Sequence, residues 1–152
     1  MGASQTGQAE LPSDTPAMGH FLKAEVALNQ GDHDVATKEY ELAVAADPTS
    51  ALLRQRLAML YVRDNRLPEA LGQIAKGVEF DPSNVQARVL HAGILSALGR
   101  DGEAVTEYET VLELDPKNQE AHLFLGALYV VCVMCFPQGL VRLADRRRVP
   151  TT

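Results

Sequence analysis

Aromatic residues are scarce in this sequence, which has no tryptophan and only 5% aromatic content. This scarcity argues against the aromatic platforms on which proteins stack the bases of single-stranded nucleic acid. The formal net charge of −6 points the same way, because an acidic protein repels a phosphate backbone. One dense basic run, Arg146-Arg147-Arg148, lies in the C-terminal tail, where we interpret it as a solvated end. We therefore expect no nucleic-acid partner.

Cysteine is equally scarce. Cys132 and Cys135 form a C-x-x-C at the end of an apolar run, without the βαβ pattern that a thioredoxin-like motif requires. A zinc site would need two further ligands, and the histidines are scattered singly along the chain, at His20, His33, His91 and His122. We predict neither redox chemistry, nor a metal site, nor a bound cofactor.

The N-terminus lacks an apolar stretch. Residues 1–16 are rich in Gly, Pro, Ser, Thr and Gln, so we interpret them as a flexible leader rather than a secretory signal peptide, and we expect a cytoplasmic location. The rest of the 152-residue chain has an ordinary globular composition, with 46% hydrophobic and 22% charged residues. One folded domain is the expectation.

A repeat of 34 residues runs through most of the chain. Asp-Pro pairs recur at this interval, at Asp47-Pro48, Asp81-Pro82 and Asp115-Pro116. Small residues recur at two other phases, first at Ala24, Ala58, Ala92 and Gly126, then at Ala36, Ala70 and Ala104. Turn-forming residues mark a further phase, at Gly31, Asn65 and Gly99. Self-similarity at one fixed period of this length is typical of repeat architectures.

Each phase has a physical reason. Small residues let paired helices approach closely, and Gly or Asn can take the left-handed conformation that ends a helix. The residue before Pro is pushed out of the α region, so each Asp-Pro pair ends a second helix. Each unit is thus predicted to be helix, turn, helix and loop, without strands. The predicted helices span 18–29, 34–45, 51–63, 68–79, 85–97, 102–113 and 119 to about 131.

These residues resemble the tetratricopeptide repeat family over residues 17–130. Its consensus Leu falls at Leu57 and Leu125, its Tyr at Tyr61 and Tyr129, and its aromatic residue at Tyr40 and Tyr108, while Ile74 and Gly77 depart from it. The resemblance implies an all-α fold, a right-handed superhelical array of antiparallel helix hairpins. The units would be 17–50, 51–84, 85–118 and a partial 119–131, followed by a divergent or truncated tail at 132–152.

Arrays of this family typically receive an extended peptide or a partner helix in a concave groove lined by the first helix of each hairpin. The resemblance therefore implies a non-enzymatic scaffold for protein–protein interaction. By helical phase, the groove-facing candidates are Phe21, Glu25, Gln55, Arg56, Met59, Arg63, Gln86, Val89 and Leu90. Arg56 and Arg63 lie two turns apart on one helix face, where they could bind carboxylates of a ligand.

Some family members clamp the C-terminal carboxylate of chaperones with Lys, Asn, Asn, Lys and Arg. The matching positions here hold Phe21, Glu25, Arg56, Gln86 and Leu90. The clamp is absent, and the acidic Glu25 would repel such a ligand. A chaperone-tail adaptor is therefore disfavoured.

Catalytic constellations are also missing from the sequence. The acidic residues mostly occupy helix starts or solvent faces rather than a paired arrangement, and no Gly-rich phosphate loop is present. We predict no catalytic residue and no enzymatic activity.

The fourth unit loses the repeat after about residue 130. Pro137 and Gly139 would break a second helix there, and an uninterrupted apolar run of 14 residues extends from Leu123 to Phe136. Three interpretations remain open: a divergent capping helix, a truncated or frame-shifted copy of a longer array, or an apolar anchor. The run is shorter than the roughly 18–20 residues that cross a bilayer, which makes a membrane span the least favoured.

Such an apolar stretch would leave an exposed hydrophobic patch unless something covers it. The alternative function is accordingly a subunit or fragment of a longer array that self-associates or docks through its fourth unit. The candidate contact residues are Leu123, Phe124, Val130, Val131, Met134 and Phe136.

Overall fold

The structure, a computed structural model, describes residues 15–135 as helices joined by short turns, with no strand in that range. The helices are α1 (Pro16–Asn29), α2 (His33–Ala46), α3 (Ala51–Arg63), α4 (Leu67–Phe80), α5 (Val85–Ala97), α6 (Asp101–Leu114) and α7 (Gln119–Cys135). The predicted all-α fold is confirmed, and every predicted helix end but the last lies within about two residues of the observed end. The predicted leader up to residue 14 and the tail from residue 136 lie outside the described residues.

The helices pack as successive antiparallel hairpins. The α1–α2, α3–α4 and α5–α6 pairs form the hairpins, and α2 then packs on α3, α4 on α5 and α6 on α7. The recurring alanines at the two small phases are fully buried at these contacts: Ala24, Ala36, Ala58, Ala70, Ala92 and Ala104. Their small side chains allow the close approach of the helices that the repeat requires.

The turns inside the hairpins use the left-handed backbone conformation. Gly31 and Gly99 have φ of 77° and 73°, and Asn65, a residue that tolerates this region, has φ of 58°. At the same phase of the fourth unit stands Val133, a β-branched residue for which this conformation is unfavourable. No turn forms there, and α7 continues to Cys135, about four residues beyond its predicted end.

The starts of the later first helices are capped at one repeated position. The side chains of Ser50, Asn84 and Asn118 each accept a hydrogen bond from the backbone N–H three residues ahead, at 3.4, 3.0 and 3.1 Å. Such N-caps satisfy donors that the first helical turn leaves free. In the second, third and fourth units this phase therefore both ends the loop and starts the next helix.

A basic side chain ties each of these loops to the helix that follows it. Arg54 is only 7% exposed, and its Nε and Nη2 donate to the carbonyl oxygen of Pro48 at 2.8 and 2.6 Å. Its Nη1 donates to Oε1 of Gln73 at 2.8 Å. The equivalent contacts one and two repeats later join Arg88 to Pro82 and His122 to Pro116. This residue position therefore has a structural role.

Candidate functional site

The first helices of successive hairpins share a hollow of about 220 Å³. It lies between α3, α5 and α7. The lining residues are Gln55, Met59, Gln86, Val89, Leu90 and Glu120. All but Glu120 belong to the groove set predicted from helical phase, so the fold brings these five predicted residues together.

The walls of the hollow are apolar and its rim is polar. Met59 is exposed, Leu90 is half-buried and Val89 is 8% exposed, so Val89 also belongs to the core beneath the hollow. Oε1 of Gln55 accepts a hydrogen bond from Nδ2 of Asn84 at 3.5 Å. Gln86 makes no side-chain hydrogen bond within residues 15–135. The hollow therefore offers apolar contact area beside an amide available to a ligand.

Phe21 and Glu25, predicted for the groove, lie on α1 outside the lining of the hollow, and both are engaged with α2. The Phe21 and Tyr40 rings meet edge to face with centroids 6.0 Å apart. The Tyr40 hydroxyl donates to Oε1 of Glu25. Burial raises the pKa of Tyr40, and the Glu25 carboxylate raises it further, while Arg56 opposes the shift. Glu25 is thus held by a tyrosine rather than free for a ligand.

The two arginines predicted to act together are in different surroundings. Arg56 is exposed and has no ion-pair partner in the described part of the chain. Arg63 is the last residue of α3, where its Nη2 lies 2.8 Å from Oδ1 of the adjacent Asp64. Arg63 also borders a separate polar depression at the α1–α2 turn, together with Asp32 and Asp34. The placement of Arg63 departs from the predicted groove.

Tyr108 is a buried residue of α6 whose hydroxyl the sequence interpretation missed. It occupies the repeat phase of Tyr40, but Gly93 stands where Glu25 would supply an acceptor. The Tyr108 hydroxyl lies 3.9 Å from the position that a Cβ at Gly93 would take, and it makes no hydrogen bond within the described residues. Burial raises the pKa of Tyr108, and the nearby Glu120 carboxylate adds to the shift. Glu25, Met59 and Gly93 stand at the same repeat position. The replacement of the Glu25 acceptor by Gly93 is the signal in the sequence that the Tyr108 hydroxyl lacks the partner that Tyr40 has.

A second polar cluster joins α5 to α6. Nη1 of Arg88 lies 2.9 Å from Oε2 of Glu107, and Nδ1 of His91 lies 3.4 Å from the other carboxylate oxygen. His91 Nδ1 is buried and makes no hydrogen bond of good geometry. Burial lowers the pKa of His91, an effect that Glu107 opposes and Arg88 and Arg100 reinforce. The folded state therefore favours the neutral imidazole.

We expect this histidine to make stability depend on pH. Because its folded-state pKa lies below the ordinary value of 6.5, the unfolded chain binds more protons as the pH falls below that value. At pH values above the ordinary pKa, His91 makes its full contribution to the free energy of unfolding. This contribution is lost as the pH falls towards the folded-state pKa. Urea unfolding at several pH values should show a smaller loss between pH 7.5 and 5.5 for His91→Gln than for the native chain. Equal losses would contradict the assignment.

The predicted self-association residues on α7 are mostly open to solvent. Leu123 and Met134 are 73% and 76% exposed, and Val130 and Val131 are about half exposed. Phe124 differs, because its ring packs on Tyr108 at a centroid distance of 4.5 Å and so belongs to the core. Phe136 lies outside the described residues. Within residues 15–135 no helix is long and apolar enough to cross a membrane.

Comparison with known proteins gives two adjoining family matches. A model described as "Tetratricopeptide repeat" matches residues 27–94, and one described as "TPR repeat" matches residues 94–130. Serine/threonine-protein phosphatase 5 of Rattus norvegicus is 28% identical over 127 residues. That alignment covers 78% of this chain but 26% of the phosphatase, so the chain spans about a quarter of this relative.

Solved structures of similar architecture include two peptide complexes. The first TPR domain of Spaghetti (RPAP3), bound to the HSP90 peptide SRMEEVD, has a TM-score of 0.67 and 29% identity, covering 74% of this chain and 93% of that chain. The second TPR domain of human RPAP3, in complex with the HSP70 peptide SGPTIEEVD, has a TM-score of 0.67 and 27% identity. It covers 74% of this chain and 94% of that chain.

Proposed function

This chain belongs to the tetratricopeptide repeat family, and on that premise we propose that it is a non-enzymatic interaction scaffold that binds a peptide segment on the surface shared by α1, α3 and α5. The observation that carries the proposal is the hollow between α3, α5 and α7. Met59, Val89 and Leu90 supply its apolar walls, and polar side chains surround them. A few convergent polar groups around an apolar depression are typical of ligand sites.

The peptides bound by the two RPAP3 domains both end in the acidic sequence EEVD. This chain has no cationic clamp for such a terminus at the corresponding positions, where Glu25 and Leu90 replace basic or amide side chains. We propose a ligand of different chemistry on the same surface, because an acidic side chain facing a carboxylate opposes binding.

Substitutions in the hollow provide the test. Peptides selected by the native chain from a random display library should bind Leu90→Glu at least about tenfold more weakly, because the new carboxylate places a charge in the apolar contact. Leu42→Glu is the matched control, since Leu42 is an exposed leucine on α2. Binding can be followed by fluorescence anisotropy. If Leu90→Glu and Leu42→Glu bound every selected peptide with equal affinity, the groove would be excluded as the binding site.

A second candidate function rests on α7. Several exposed residues of α7 stand at repeat positions that, on α3, are covered by α4. Tyr129, for example, is 65% exposed, whereas the equivalent residue on α3, Tyr61, is buried. We propose that this uncovered face mediates self-association. Removing α7 would expose the core around Tyr108, so substitution is the cleaner change.

Light scattering over a concentration series tests self-association. The native chain should gain mass with concentration, and Val131→Lys combined with Met134→Lys should remain a monomer, because two charges oppose burial of the face. A native chain of constant monomeric mass would exclude this second function and leave the groove proposal untouched.

A further inference from the structure

The hollow between α3, α5 and α7 has a charge character that restricts its ligand. Resting on the proposed function, we infer that the bound segment presents one apolar side chain of about leucine size to the hollow and, next to it, a lysine or arginine that pairs with Glu120. Apolar walls and a carboxylate that has no ion-pair partner among residues 15–135, in one small depression, are the juxtaposition that carries this inference.

The size of the hollow limits what can enter it. Its volume of about 220 Å³ is below the roughly 300–1,000 Å³ of pockets that enclose a whole small-molecule ligand. A single medium-sized side chain of an extended peptide fits this space. Met59, Val89 and Leu90 form its apolar surface, so burial of an aliphatic side chain is favourable there.

Glu120 supplies the charge. It is an exposed glutamate in the first turn of α7 and borders the hollow. Within residues 15–135 no cation lies within ion-pairing distance of Glu120. Glu25, the acidic residue predicted for the groove on α1, already accepts a hydrogen bond from the Tyr40 hydroxyl. Glu120 is therefore the acceptor that the hollow offers to a ligand cation.

Two neighbouring groups fix which side of the hollow favours a basic residue. At the α7 side the Glu120 carboxylate lies near the buried Tyr108, whose pKa it raises, so this side carries an anion. Arg56 lies on α3 towards α1 and also has no ion-pair partner among the described residues. A ligand cation is therefore favoured at the α7 side and opposed near Arg56.

Reversal of the Glu120 charge gives a direct test. The native chain and its Glu120→Lys variant are each used to select binders from one random 12-residue peptide display library. Glu79→Lys is the control, because Glu79 is an exposed glutamate on α4 and the change in net charge is the same. Selected peptides are synthesised, and their affinities for all three proteins are measured by anisotropy.

The native protein should enrich peptides with Lys or Arg beside Leu or Met, and Glu120→Lys should enrich Asp or Glu at that place. The Glu79→Lys control should bind the peptides selected by the native protein as the native protein does. Each protein should bind its own class at least about tenfold better than the other. Peptides sensitive to Leu90→Glu but indifferent to Glu120→Lys would overturn the inference and leave groove binding standing. Failure to select any peptide would count against both.

Discussion

Replacing Tyr40 by alanine should lower the free energy of unfolding by about 3–5 kcal/mol, the range for removing a large buried aromatic side chain. Tyr40 is 0% exposed and packs against Phe21, and its hydroxyl donates to Glu25. The cavity would lie inside the first hairpin. The total free energy of unfolding of a small domain is only about 5–15 kcal/mol. Urea unfolding followed by circular dichroism should therefore show a large fall in the urea concentration at the midpoint.

Tyr129→Ala is the matched control for that experiment. The substitution is identical, but Tyr129 is 65% exposed on α7 and has little contact area to lose. We expect its effect to stay within about 0.5 kcal/mol, as for ordinary surface changes. Similar losses in the free energy of unfolding for Tyr40→Ala and Tyr129→Ala would contradict the assignment of Tyr40 to the core and Tyr129 to the surface.

Arg54→Ala should produce the second largest loss, about 2–3 kcal/mol, because hydrogen bonds to charged groups are stronger than neutral ones and their partners would lose a buried donor. The guanidinium donates to the Pro48 carbonyl and to Gln73, and it lies 5.7 Å from the centroid of the Phe80 ring. Removing it would free the loop before α3 from the helix that follows.

Arg56→Ala, two residues along the same helix, is the control for Arg54→Ala. Arg56 is exposed and makes no ion pair or hydrogen bond in the described part of the chain. Its loss should leave the free energy of unfolding within about 0.5 kcal/mol of the native value. In the sequence, Arg54 and Arg56 are both arginines of one basic helix, and only the structure distinguishes the buried one from the exposed one. A larger loss for Arg56→Ala than for Arg54→Ala would contradict the structural assignment.

Most of the fold could be predicted because the repeated residues act locally. The positive φ of Gly31, Asn65 and Gly99, and the helix ends at Asp47 and Asp81, follow from the conformational limits of those residue types. The continuation of α7 past residue 131 departs from its predicted end. Val133 stands at the turn phase, where a β-branched side chain disfavours the left-handed conformation that ends the earlier first helices.

The candidate site could be predicted in part. Helical phase placed Gln55, Met59 and Leu90 on one face, and the hollow contains all three. Glu120 is not in the predicted set, which draws on the three complete units only. Helical phase also predicts Arg63 for the groove, but it takes no account of the adjacent Asp64, with which Arg63 pairs.

The sequence does not show which side chains of different helices contact one another. The ties from Arg54 to Pro48 and Gln73, and the free hydroxyl of Tyr108, depend on side chains from several segments meeting at one point. A pattern of residue types along one helix cannot show whether an arginine is solvated or buried, because its long side chain can reach either environment.

The central claim is that the hollow lined by Met59, Val89 and Leu90 is the binding surface, and methyl NMR of the native chain tests it most directly. Spectra would be recorded with and without a peptide selected from the display library. The account predicts the largest shift changes at the methyl groups of Met59, Val89 and Leu90. Unchanged signals there, with the largest changes at Leu22 and Val26 on α1 or at Val131 and Met134 on α7, would contradict it.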